Sequence, residues 1–182
     1  IVYILAALGA ILGEMRGQHA LVYACKPLMM LVLSLWFYYK SRRYGDRFTL
    51  LIQAGLFFSW LGDMALMLDH IDPYYLLIGL GAFMLAQLCY CIAFAHNVAD
   101  VGGGQGLLVA SLLMAVVLAY GGIFGYEVIP RVDADVQVPA GIYAFVTTLM
   151  GAMAALRFGR TYLPSFIMVF AGAVLFIASD SI

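Results

Sequence analysis

The sequence predicts an all-α protein: a polytopic bundle of transmembrane helices in a single domain over residues 1–182. Three observations point to it. Hydrophobic residues make up 65% of the chain and charged residues only 10%, against about a quarter charged in ordinary globular chains. The mean hydropathy is +1.02. The apolar residues fall into seven runs, and a helical span needs about 20 residues. Net charge −1 supplies no basic footprint, so no nucleic-acid partner is expected. The composition also excludes a soluble enzyme and a disordered tail.

The runs lie at about 1–13, 21–39, 48–68, 74–95, 107–126, 137–156 and 162–182. Breakers or charges separate them: SRRYGDR, DHIDP, NVADVGGGQG, EVIPRVDADVQVP and RFGRTYLP. No loop is long enough for a soluble insertion, so any chemistry belongs among the helices or at their mouths. GGGQG at 102–106 lacks the Lys-Ser/Thr of a phosphate loop and reads as a flexible connection. Gly121 and Gly125 form one G-x-x-x-G, a pattern that lets membrane helices approach closely. Cys25, Cys89 and Cys91 lie inside apolar runs and read as small buried hydrophobes, with no disulfide framework. The apolar run at each end leads us to expect further helix beyond one or both.

Lys and Arg set the orientation. Lys40, Arg42, Arg43 and Arg47 follow the second run, and Arg157 and Arg160 the sixth. Seven alternating spans place both groups on one side. Asp69, Asp72, Glu127, Asp133 and Asp135 collect on the other. The Arg-rich 40–47 loop is therefore expected in the cytoplasm.

Several polar groups stand inside the runs, where a charge costs roughly 2.5–3.5 kcal/mol. Lys26 lies about 9 Å below the non-cytoplasmic start of its span, at about 1.5 Å per residue. Asp63, Asp180, Tyr143 and Glu14 share that layer from four other helices. Such a shared depth suits one common cavity. Ser59 stands one turn from Asp63 on the same face. Phe83, Gln87, Tyr90 and Phe94 form an aromatic-polar stripe on the fourth span, deeper in the bilayer. Plain alternatives exist: Lys26 can snorkel, Glu14 can be a helix-end charge, and Lys26 can form a structural ion pair with an Asp. Buried ion pairs are weak devices for stability, which favours a functional cluster.

KPLMM (26–30), LGDMAL (61–66), FMLAQLCYCIAF (83–94), YAFVTTLMGAMAA (143–155) and GAVLFIASDSI (172–182) together resemble the YhhN family of membrane proteins, whose animal members are lysoplasmalogenases. The resemblance runs from the second span to Ile182. It implies an eight-helix bundle, with one more span after Ile182. It also implies hydrolysis of the vinyl-ether bond of a lysoplasmalogen to a fatty aldehyde and a glycerophospho-head group. The chain departs from the family at Gln87, where a His commonly stands, so a base at that position is not available here.

That chemistry needs a carboxylic acid to protonate the vinyl-ether β-carbon and an anionic partner for the oxocarbenium ion. Asp63 and Asp180 are the catalytic candidates. Lys26, Tyr143, Gln87, Tyr90, Ser59 and Glu14 are candidates for binding substrate or tuning the carboxyls. The expected partners are a lysophospholipid-type substrate and the bilayer. No cofactor and no metal is expected: His19, His70 and His96 are few, and His96 falls on the opposite side from the others, which disfavours a zinc hydrolase. An intramembrane aspartyl protease would need a Pro-Ala-Leu motif that the sequence lacks. A lipid or proton-coupled transporter using Lys26 and the Asp residues as a relay is the other open reading.

Overall fold

A computed structural model describes residues 2–16, 19–41, 46–100 and 106–180. All seven apolar runs are helices: α1 Val2–Met15, α2 His19–Ser41, α3 Arg47–Leu66, α4 Tyr74–Asp100, α5 Leu107–Val128, α6 Ala134–Ala155 and α7 Leu163–Ser179. A 3-10 turn, Ile129–Arg131, links α5 to α6. No strand occurs among the described residues.

Among the described residues, four helices, α3 to α6, are long and apolar enough to cross a membrane. α1 and α7 have 14 and 17 residues, or about 21 and 25 Å at the helical rise, short of a hydrocarbon core of about 30 Å. α2 has the length, 23 residues, but Lys26 and Pro27 interrupt its apolar run. The helix continues through Pro27, although the missing amide removes one bond of its ladder.

Local chemistry sets several ends. Asp46 caps α3, its Oδ1 accepting the Thr49 amide at 3.2 Å. Hydrogen bonds from Thr49 hold its carboxyl below the usual range. Asp72 accepts the Tyr74 amide at 2.9 Å, and Pro73 follows, which suits the start of a helix. α5 begins at Gly106, whose φ of +100° favours glycine. Residues 101–105 of the glycine-rich connection lie outside the described residues.

The chain forms two compact units, Ile1–Ala86 and Gln87–Ile182. In the first, α2 packs against both α1 and α3. The Gln53 amide of α3 donates to the Ser34 hydroxyl of α2. A Cβ at Gly62 would fall 2.6 Å from the Phe83 ring, and one at Gly79 2.6 Å from Leu66. Glycine at these positions lets α3 and the start of α4 approach closely.

In the second unit, α6 packs against both α5 and α7. A Cβ at Gly121 would overlap the Thr148 side chain of α6. One at Gly125 would meet only Ile129, at an ordinary 3.5 Å. Of the two glycines in the G-x-x-x-G pattern, only Gly121 receives a neighbouring helix. The three cysteines are free thiols.

This difference is testable. Gly121→Leu should cost about 1–3 kcal/mol by overpacking, whereas Gly125→Ala should be near neutral. Thermal unfolding in detergent micelles reads both. Equal shifts for the two variants would contradict the assignment.

Candidate functional site

In the first unit, Asp63 is half-buried on α3. The Lys26 ammonium on α2 lies within electrostatic reach of its carboxylate. Two of the polar groups singled out by depth are thus brought together across two helices that pack side by side. Ser59, one turn before Asp63, is buried. Gly62 has a separate reason to be small, since the Phe83 ring occupies the space beside it. Near the start of α2, the Tyr23 hydroxyl is 3.4 Å from His70 Nδ1. Glu14 lies on α1, but its side chain is outside the described residues.

In the second unit, the Tyr143 hydroxyl donates to Asp180 Oδ2 at 2.6 Å. Asp180 closes α7, its amide bonded back to Phe176 at 3.1 Å. Tyr143 projects from the second turn of α6 after Pro139. A bond of this length fixes the orientation of both groups. Thr147, one turn along α6, is buried. Its hydroxyl stands beside the phenol without hydrogen-bond geometry to any group.

These three side chains share a cavity of ≈ 180 Å³ between α5, α6 and α7, with Tyr120, Phe124 and Ile177 among its apolar walls. The arrangement offers a carboxyl, a phenol and a hydroxyl to a bound molecule from one small opening. Such a set can move a proton and hold an oxygen.

The stripe on α4 divides. Tyr90 stacks on Phe94, with centroids 6.5 Å apart. The Phe94 ring in turn lies 5.1 Å from the Arg157 guanidinium. Gln87 is completely buried, and neither atom of its amide has a hydrogen-bond partner among the described residues.

Arg157 differs from its expected role as a loop charge. It is 2% exposed. Its Nε donates to Asn97 Oδ1 at 3.1 Å and its Nη2 to the Ser165 hydroxyl at 3.4 Å. The guanidinium therefore joins the ends of α4, α6 and α7 from inside. Its neighbours in the chain, Leu156 and Phe158, carry no signal of this. The partners come from 60 residues before and 8 after.

The site and fold define an all-helical protein of membrane type, with a polar pair in each of its two units. A model of the YhhN family matches residues 21–182, and the chain belongs to that family. No curated protein and no solved structure matches the chain.

Arg157→Lys should lower stability by about 1–3 kcal/mol, since one ammonium cannot reproduce the planar fork and its stacking. Arg131 supplies the contrast. Its pair with Glu127 at 2.7 Å is exposed and of a type worth about 0–1 kcal/mol. Melting temperatures of Arg157→Lys and Arg131→Lys in the same detergent compare them, and a larger loss for Arg131 would contradict the burial argument.

Proposed function

We propose that the protein is a membrane-embedded hydrolase that cleaves the vinyl-ether bond of lysoplasmalogen-type lipids. The observation that carries this reading is the Tyr143–Asp180 hydrogen bond at 2.6 Å, set in a cavity with otherwise largely apolar walls. Membership of the YhhN family supports it, as does the second carboxyl, Asp63, beside Lys26.

The reaction starts with transfer of a proton to the β-carbon of the vinyl ether. The double bond's electrons form the new C–H bond, and the ether oxygen shares the resulting positive charge. Water adds to the oxocarbenium carbon and loses a proton, giving a hemiacetal. The hemiacetal then breaks its C–O bond to release aldehyde and alcohol. One carboxyl must be the acid and one group must face the cation as an anion.

Lys26 gives Asp63 a cationic neighbour, and Asp63 and Asp180 are the two candidate catalytic carboxyls. Asp180 supplies the proton, with Tyr143 holding its carboxyl in place and Thr147 beside the leaving oxygen. Ser59, Gln87, Tyr90 and Glu14 remain candidates for binding or tuning. In the membrane, the Arg-rich 40–47 segment faces the cytoplasm and the reaction takes place in the opposite half.

Asp63→Asn and Asp180→Asn should each reduce hydrolysis by about 10²–10⁴-fold, the usual worth of a positioned acid or base, while leaving the fold intact. The assay is aldehyde release by purified protein from a synthetic lysoplasmalogen. Turnover near that of the parent protein in either variant would remove that Asp from the reaction.

Lys26→Met separates two roles for the ammonium. If it binds phosphate, a phosphate-free vinyl-ether glycerol should show an unchanged KM in this variant. If it holds Asp63 ionised, kcat should fall on that truncated substrate as well. The second result is expected, from the Lys26–Asp63 proximity.

A further inference from the structure

A second groove adjoins the Tyr143–Asp180 cavity. It runs between α5 and α7 and has a volume of ≈ 340 Å³. Its walls are Leu113, Val116 and Val117 from α5 and Phe170, Val174 and Ala178 from α7, with Tyr120 and Ile177 shared with the cavity. The two openings thus adjoin at these two side chains. Polar groups stand at one end only, and the rest of the lining is hydrocarbon.

The groove has a backing and an end wall. Gly151 on α6 lies behind two of its wall residues. A Cβ there would fall 2.6 Å from Ile177 and 3.0 Å from Val117, so both side chains lie directly over this glycine. The end wall is aromatic. Phe170 stacks on the buried Phe166 with centroids 5.4 Å apart, and Phe166 meets the Phe158 edge at 5.2 Å. A ring backed by two others is held in place more firmly than a lone side chain.

The dimensions select the occupant. From Phe170 to Asp180 the helical rise gives about 15 Å. A methylene is about the size of a water, whose share of liquid volume is about 30 Å³. The groove thus has room for one extended chain of roughly ten methylenes.

We infer that this groove holds the single hydrocarbon chain of the substrate, with Phe170 as the stop that measures its length. The inference rests on the proposed lysoplasmalogen reading and adds where the chain lies. The vinyl ether, next to the glycerol, sits at Tyr143 and Asp180, and the chain runs back along α7 toward Phe170. Bilayer lipid is as apolar as the groove, so entry brings little hydrophobic gain. The groove instead positions the reactive bond. A chain that reaches Phe170 at the right length places its vinyl ether against Asp180, and a longer one pushes the bond past it.

The test uses a saturated 1-O-alkyl lysophospholipid with a diazirine at the chain terminus. It lacks the vinyl group, so its binding is read whether or not the protein hydrolyses vinyl ethers. Irradiation of the full chain in nanodiscs should concentrate the label on Leu113 and Phe170, located by peptide mass spectrometry. Val174→Trp, which fills the groove midway, should cut this labelling at least tenfold. A Trp at Leu108, which is 79% exposed and outside the groove, should not. Phe170→Ala should move the optimum of chain length upward in the aldehyde-release assay. Label spread evenly over the outer faces of α5 and α7 would overturn the inference, as would undiminished labelling in Val174→Trp. Focused labelling without any aldehyde release would support the chain site and count against the hydrolase reading alone.

Discussion

Hydrocarbon offers no hydrogen-bond partner, and several polar groups among these helices find theirs on other helices. The Tyr143 phenol meets Asp180, Gln53 meets Ser34, and the Arg157 fork reaches Asn97 and Ser165. Each link joins two different elements. A polar residue in such a chain therefore fixes rotation of its helix as well as chemistry. Turning α6 by a third of a turn would carry Tyr143 away from Asp180.

Small residues complete the same task from the apolar side. Gly62, Gly79, Gly121 and Gly151 each stand where a neighbouring side chain already fills the space a Cβ would take. Burial from water drives little association between helices in lipid, so close backbone approach and packing must do so. The glycines therefore decide which helix faces meet, and through that which polar groups can pair.

Much of this was legible in the sequence for a simple reason. Apolar runs broken by Asp, Pro and Gly mark helices directly, and α3 to α6 begin within a few residues of the runs. Depth within a run also transfers well, because the helical rise is constant. It singled out Lys26, Asp63, Tyr143 and Asp180 as one layer, and the structure brings Lys26 toward Asp63 in one unit and Tyr143 to Asp180, 37 residues apart, in the other. Arg157 was not legible as a buried group. An Arg next to a helix end looks the same whether it faces water or folds back over Phe94. The α5–α7 groove was equally hidden. α5 is apolar on every side, so no periodicity tells a groove wall from a lipid-facing surface.

Gly151 has a consequence for how such a protein can change. Its missing side chain leaves the space over which Ile177 and Val117 lie. Ile177 meets it with the flexible end of its side chain, and Val117 need give by only a few tenths of an ångström, so an added methyl would press them outward rather than break the α6 contacts. Bore and chemistry are thereby uncoupled. A lineage can narrow or widen the channel by altering one residue on the opposite side of its walls, leaving the acidic end untouched. Specificity can drift in single, tolerated steps while the proton-transfer apparatus stays under separate selection.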